Sequence, residues 1–207
     1  TPINPTPVIG MVGRIDNVEK AISSEWKNIH DQIWLVGSYK SETTIAASSY
    51  LEYFHGEITG RPPKLDLIDE KSCQIFLRNV ISKSFVVSSH DISDGGLAIA
   101  LAECCILSSK GAKVELKNDM QREDNLLFGE GGSRIVFSID KMKEIEWLNY
   151  LKKIQKNLQS SLYIKKIGYV SNDEILNIKI QDKDICNIRV EELTEKFNNS
   201  ISGHFEI

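Results

Sequence analysis

The sequence has few of the residues that build metal centres or disulfide frameworks. Its four cysteines have neither CxxC spacing nor a neighbouring histidine, and its four histidines are dispersed along the chain. This spacing offers no zinc motif and predicts structural thiols in a reducing compartment. The cysteines are Cys73, Cys104, Cys105 and Cys186. We therefore expect no metal ligands in this chain.

Positive charge and long apolar runs are scarce as well. The 25 basic residues are outnumbered by 29 acidic ones, which gives a net charge of −4, whereas proteins that bind nucleic-acid backbones carry excess lysine and arginine. The sequence has no apolar run long enough for a transmembrane helix, and its first residues lack the pattern of a signal peptide. We expect an ordinary globular protein of the cytoplasm, with no nucleic-acid or membrane partner.

Residues 86–107 combine an apolar strand pattern, a polar turn and a helix with apolar residues on every face. The helix is expected to be buried, with Ser93 or Asp94 as its N-cap. A helix N-terminus also favours an anion, whereas the turn's two aspartates would suit a magnesium ion or a hydroxyl-rich ligand. Capping with packing, and a ligand or interdomain contact, both stay open. The contact candidates are His90, Asp91, Asp94, Gly95 and Gly96.

A second polar loop, over residues 126–134, feeds directly into an apolar strand pattern. Its glycines can form a nest of N–H groups, with a hydroxyl and a guanidinium beside it to grip a phosphate or carboxylate. It is not a Walker A loop, because it lacks GK[ST] and enters a strand. The alternative is a glycine-rich connection whose charged side chains pair with each other or with neighbours. The anion-binding candidates are Gly129, Glu130, Gly131, Gly132, Ser133 and Arg134.

Local patterns predict the other elements. Residues 1–7, with three of the five prolines, are expected to be an extended linker, as in a piece of a larger protein. Strands are expected at 8–13, 33–37, 112–116, 135–139 and 162–170, with a hairpin-like return at 174–180. Helices are expected at 41–54, 70–82, 97–107, 140–158 and 190–199, with Asp69 or Ser72 capping the second.

The irregular order of these helices and strands favours an α+β layered domain over a doubly wound sheet. The expected organisation is a linker and first strand over residues 1–13, followed by one domain over residues 14–207.

Four sequence blocks follow one another in order: TPVIGMVG at 6–13, GRPP at 60–63, HDISDGGLA at 90–98 and LFGEGGSR at 127–134. Together they resemble the C-terminal end of phosphoribosylformylglycinamidine synthase, in its stand-alone synthetase form, as far as about Phe197. Related enzymes share the module but are expected to lack the pairing of the last two blocks. They are aminoimidazole ribonucleotide synthase, selenophosphate synthetase, thiamine-monophosphate kinase and a hydrogenase-maturation protein.

The resemblance implies a layered α/β/α domain with a mixed sheet, like the C-terminal domain of aminoimidazole ribonucleotide synthase. It implies that the full enzyme converts formylglycinamide ribonucleotide to formylglycinamidine ribonucleotide, using ATP, Mg²⁺ and ammonia from glutamine. ATP activates the amide oxygen as an iminophosphate, which ammonia attacks. In the family the residues for this chemistry lie upstream of Thr1, so we expect no catalytic residue here and neither ATP nor Mg²⁺ on this part alone. The implied partners are upstream domains, a glutaminase subunit and a small bridging subunit.

The chain departs from the family pattern at two places. Gly131 and Gly132 stand where the substrate-binding copy of the loop has Ser-Gln, so we interpret the loop as a vestigial site. Residues 43–49 replace a glycine-rich turn. We expect a structural part of an ATP-dependent C–N ligase, inactive alone. The alternatives are a non-catalytic module that docks the glutaminase and bridging subunits, or the same domain of a related ATP-dependent synthase such as aminoimidazole ribonucleotide synthase.

Overall fold

Seven strands form one mixed sheet in the computed structural model, which describes residues 8–117, 122–155 and 162–202. The strands are β1 (Gln32–Ser38), β2 (Val86–Asp91), β3 (Gly111–Leu116), β4 (Ile135–Ile139), β5 (Leu162–Ser171), β6 (Ile175–Ile180) and β7 (Lys183–Arg189). Their order across the sheet is β2-β4-β1-β5-β3-β6-β7. The β3–β6 pair is parallel and the other pairs are antiparallel. The sheet is therefore mixed, as predicted.

Helices cover both faces of this sheet. They are α1 (Ser49–His55), α2 (Leu67–Ser82), α3 (Gly96–Ser108), α4 (Glu123–Phe128), α5 (Glu144–Gln155) and α6 (Val190–Ser202). No helix in the described part of the chain is both long and apolar enough to cross a membrane.

Two hydrophobic cores lie on opposite faces of the sheet because side chains alternate along each strand. In β1, Ile33 and Leu35 enter a core with α3, whereas Trp34 and Val36 enter a core with α2 and α5. All seven residues of β1 are buried. This strand is thus the centre of an α/β/α sandwich, and the layered fold predicted from the sequence is confirmed.

The predicted core helix is α3, but its N-terminus differs from the expectation. Neither Ser93 nor Asp94 is the N-cap; that position is Gly95, which has a left-handed backbone and no side chain to accept a bond. The prediction of Asp69 or Ser72 as the N-cap of α2 is also wrong. The N-cap is Asp66, whose carboxylate accepts from the N–H groups of Ile68 and Asp69.

The predicted strand at residues 8–13 is wrong. This segment forms no strand in the structure, and Val8, Met11 and Val12 are more than nine-tenths exposed. An apolar run alone cannot specify a strand, because a strand also needs a neighbour with which to pair. The helix expected at 41–54 is confirmed only from Ser49 onward.

The predicted return of β5 onto residues 174–180 is wrong as a hairpin. β3 lies between β5 and β6, and β6 pairs in parallel with β3. The hairpin of this region is instead β6–β7, joined at Gln181 and Asp182, which both have positive φ. β7 has no fully buried residue, so its weak hydrophobic pattern left it out of the prediction. α5 confirms the helix expected at 140–158 as far as Gln155; the last three residues of that range lie outside the described part.

Candidate functional site

The turn between β2 and α3 is held mainly by backbone contacts. The N–H of Ile92 donates to the Arg134 carbonyl over 3.1 Å, and the N–H of Gly96 donates to the Ser93 carbonyl over 3.1 Å. Gly95 and Gly96 have φ values of +76° and +73°, a region that residues with a Cβ rarely adopt. The two glycines thus permit the sharp change of direction into the buried helix.

The glycine-rich loop packs directly on this turn, so the two sequence motifs form one junction. A Cβ at Gly96 would lie 2.7 Å from the Phe128 carbonyl carbon and 2.8 Å from the Gly129 carbonyl oxygen. A Cβ at Gly131 would likewise meet the Glu42 backbone. These glycines are required where two backbones touch.

Glu130 connects the two helix N-termini at this junction. Its Oε1 accepts from the Gly95 N–H over 2.8 Å and from the Ser49 N–H over 2.9 Å. Its backbone exchanges two hydrogen bonds with Thr44, at 2.9 and 3.0 Å. A carboxylate is favoured here because each helix N-terminus presents free N–H groups and partial positive charge. We call this arrangement of Glu130 with Gly95, Ser49 and Thr44 the Glu130 clasp.

Arg134 is buried, and its guanidinium bonds within the domain. Its Nη1 donates to the Gly129 carbonyl over 3.0 Å, and its side chain also hydrogen-bonds the Tyr163 hydroxyl. Burial lowers the pKa of Arg134 and raises that of Tyr163, an increase that the neighbouring guanidinium opposes. The sequence predicts Arg134 beside a nest of N–H groups, and in the structure its guanidinium bonds to the Gly129 carbonyl and the Tyr163 hydroxyl.

Ser133 is also buried and has a left-handed φ of +60°. Its hydroxyl donates to Glu70 Oε2 over 2.8 Å and accepts from the Ser41 hydroxyl over 3.2 Å. The polar side chains of the loop thus tie it to α2 and to the residues after β1. A Cβ at Gly132 would meet Leu65 Cδ1, so an apolar side chain lies directly against this position of the loop.

The remaining candidates are the polar side chains at the end of β2 and in the turn that follows it. His90 Nε2 is 2.9 Å from Glu103 Oε2, and its Nδ1 is 3.4 Å from the carboxylate of Asp91, which is 77% exposed. Asp94 is exposed. Within the described ranges no three His, Cys, Asp or Glu side chains are grouped so that they could hold a metal ion.

Several residues of the junction were not predicted. Thr44, Glu103 and Tyr163 each bond to a candidate that is distant in sequence, and no local pattern points to them. Ser48 did carry a signal, because a serine before a helical apolar pattern is a common N-cap. Its hydroxyl accepts from the Leu51 N–H over 3.3 Å.

The sequence is similar to a known domain family over most of its length. The model of the AIR synthase related protein, C-terminal domain, matches residues 28–180. The chain therefore belongs to this family, and the type of C-terminal domain that the resemblance implied is confirmed.

Individual relatives are similar to this chain over nearly its whole length. The phosphoribosylformylglycinamidine synthase subunit PurL of Prochlorococcus marinus (strain MIT 9312) is 82% identical over 205 residues, which cover 99% of this chain and 26% of that protein. The same subunit of strain MIT 9313 is 41% identical over 207 residues, covering 97% of this chain and 26% of that protein. The chain thus spans about a quarter of the length of the curated relatives it matches.

Solved structures show the same fold. T. maritima PurL complexed with FGAR superposes with a TM-score of 0.65 at 16% identity, covering 86% of this chain and 30% of that chain. PurLQS from Thermotoga maritima gives a TM-score of 0.62 at 15% identity, covering 86% and 28%. At such low identities the likeness concerns the architecture of the domain.

Proposed function

We propose that this chain serves as the C-terminal domain of a purine-biosynthesis enzyme of the cytoplasm that converts formylglycinamide ribonucleotide to formylglycinamidine ribonucleotide. The observation that carries the proposal is the 82% identity, over 99% of the chain, to a phosphoribosylformylglycinamidine synthase subunit. The reaction would be an ATP-dependent C–N ligation that uses ammonia from glutamine. ATP and Mg²⁺ would be held by other parts of the full-length protein.

Within that enzyme we propose a structural role for the junction. Glu130, Ser133 and Arg134 each bond to groups of this domain, so the groups that would bind a ligand already stabilise the fold. Two glycines stand where a hydroxyl and an amide would contact substrate in the related loop. Both points support a vestigial ligand site that holds two helices in place.

The test is isothermal calorimetry of the 207-residue chain with formylglycinamide ribonucleotide in the presence of Mg²⁺. We expect no binding heat from a chain that shows a cooperative thermal transition. Binding that is abolished by Arg134→Ala would contradict the vestigial role. In parallel, full-length protein should form ADP only when both formylglycinamide ribonucleotide and ammonium are present. ADP formation independent of that substrate would contradict the proposed reaction.

A second function, contact with other domains or subunits, is supported by exposed apolar side chains near α1. Tyr53, Phe54 and Ile58 are 84%, 62% and 67% exposed, and exposed patches of this kind often mark interfaces. We propose upstream parts of the same polypeptide as the first partner, with a glutaminase and a bridging subunit as further ones.

A Phe54→Ser variant of the full-length protein distinguishes between these partners. If the surface docks the glutaminase, glutamine-dependent turnover falls while ammonium-dependent turnover is unchanged. If it docks upstream domains, both rates fall. Phe197→Ser is the matched control, because Phe197 is 54% exposed on α6, and it should leave both rates unchanged. Unchanged rates in both variants would contradict the docking role.

A further inference from the structure

A long excursion leaves the domain between β1 and α2. Residues 42–64 make up most of it, and α1 lies near its centre. All of these residues are described, and Ser48 is the one that is buried. Regions that bury few apolar side chains open at much lower free energy than the core of a domain. We call residues 42–64 the flap.

The two ends of the flap are bonded to each other. The N–H of Glu42 donates to the Lys64 carbonyl, and the N–H of Lys64 donates to Glu42 Oε2, both over 3.1 Å. Further in, the N–H of Ala47 donates to the Thr59 carbonyl over 2.7 Å. A segment that is closed at its base and bonded across its middle can keep its shape while it turns about its ends. The paired ends can therefore serve as a hinge.

The flap contacts the glycine-rich loop through one short stretch of its residues. Thr44 exchanges two backbone hydrogen bonds with Glu130, and the N–H of Ser49 donates to the Glu130 carboxylate over 2.9 Å. The Tyr50 ring stacks on that of Phe128, with 5.0 Å between their centroids. Because these contacts join the same two short segments, they can be made and broken together.

The flap also covers the backbone of the loop. A Cβ at Gly129 would lie 2.7 Å from Thr43 Cγ2, and a Cβ at Gly131 would meet the Glu42 carbonyl oxygen. Thr43 and Glu42 belong to the flap. If the flap turned away, the backbone of these two glycines would become accessible to solvent.

We propose that the flap opens as one unit about its paired ends and that Glu130 is the latch that holds it closed. Opening uncovers the glycine-rich loop. α3 keeps its acceptor meanwhile, because the bond from the Gly95 N–H to Glu130 does not involve the flap. The inference concerns a motion within this domain and does not rest on the reaction proposed above.

The test is hydrogen exchange of the full-length protein, resolved to single amides by mass spectrometry. One opening event frees the amides of Thr44, Ser49 and Glu130, so their exchange rates, corrected for intrinsic rates, should agree within about twofold. The Ala47 amide is bonded within the flap and should exchange more slowly than these three. The amides of β1 should be slower still, since they require the sheet to open.

Variants on the flap weaken the latch without touching Glu130. Ser49→Pro removes the donated N–H at the first position of α1, where proline is well tolerated. It should speed exchange at Thr44 and Glu130 by about tenfold, as expected for loss of one charge-assisted hydrogen bond. Tyr50→Ala removes the ring that stacks on Phe128 and should speed the same amides by about fivefold. Ser49→Ala keeps the N–H, so this matched control should stay within about twofold of the parent.

Four results would overturn the proposal. The first is a Thr44 amide that exchanges as slowly as those of β1 in the parent protein, which would mean that the flap does not open separately. The second is unchanged exchange at Thr44 in both Ser49→Pro and Tyr50→Ala, which would mean that these contacts are no latch. The third is equal acceleration of Ala47 and Thr44, since the flap would then unravel. The fourth is equal acceleration of β1 by both variants, which would indicate global unfolding.

Discussion

Replacing Glu130 with alanine removes one carboxylate that serves two helices. Gly95 is buried, so leaving its N–H without an acceptor costs about 1–3 kcal/mol of unfolding free energy. Ser49 is exposed, where water replaces the acceptor and the loss is about 0.5 kcal/mol. The negative charge at two helix N-termini adds about 0.3–1 kcal/mol for each helix. We expect Glu130→Ala to lower stability by roughly 2–5.5 kcal/mol in total.

Glu130→Gln separates the hydrogen bonds from the charge. Its amide oxygen can still accept from both N–H groups, so only the charge effect is lost and the cost should be about 1 kcal/mol. The assay is urea unfolding followed by far-UV circular dichroism, with the slope checked for constancy between variants. Glu195→Ala, at an exposed position on α6, is the control and should lie within about 0.5 kcal/mol of the parent. A Glu130→Ala midpoint equal to that of the control would refute the clasp.

Three further outcomes are expected. Gly96→Ala should lower the free energy of unfolding by about 3 kcal/mol, because the added Cβ clashes with neighbouring backbone at a residue with positive φ. Gly56→Ala, at φ +67° in open space, should cost about 1 kcal/mol in the same urea assay. Equal costs for the two variants would contradict the close packing at Gly96. Native thiol titration at pH 8 should modify half-buried Cys186 first, because burial raises the pKa of Cys73 and Cys105 to about 12 and leaves little reactive thiolate there. Equal modification rates for the three cysteines would contradict this order. Asp182→Gly should raise the melting temperature, because glycine relieves the backbone strain of the left-handed residue in the β6–β7 turn. A lower melting temperature would contradict this expectation.

Strong local patterns predicted the centre of the fold. The apolar run at 33–37 became β1, and the alternation at 112–116 placed Ala112, Val114 and Leu116 in the core with Lys113 and Glu115 outward. The alternation of side chains determines which face of a strand is buried, so these patterns can be read from local sequence. Such patterns do not determine which strands pair with one another in the sheet. The alternation at 112–116 does not show, for example, that β3 lies between β5 and β6.

The candidate site could be predicted only in its parts. The sequence identified both glycine motifs, but the bond from Gly95 to Glu130 spans 35 residues, and no local rule predicts such a contact. The expected N-cap was chosen from the nearest side chains that can cap a helix, Ser93 and Asp94. The acceptor comes instead from a distant loop, where Glu130 Oε1 lies 2.8 Å from the Gly95 nitrogen.

The joining of the two motifs also bears on how such residues indicate function. A glycine pair before a helix and a glycine-rich loop with Glu, Ser and Arg each suggest an anion site when taken singly. Here the backbone at Gly96 meets that of Phe128 and Gly129, and the carboxylate of Glu130 takes the place that an anion would occupy at α3. The chain thus supplies its own anion to the helix N-terminus. A ligand could use this position only by displacing Glu130, and that displacement would release α1 as well, because the same oxygen holds Ser49.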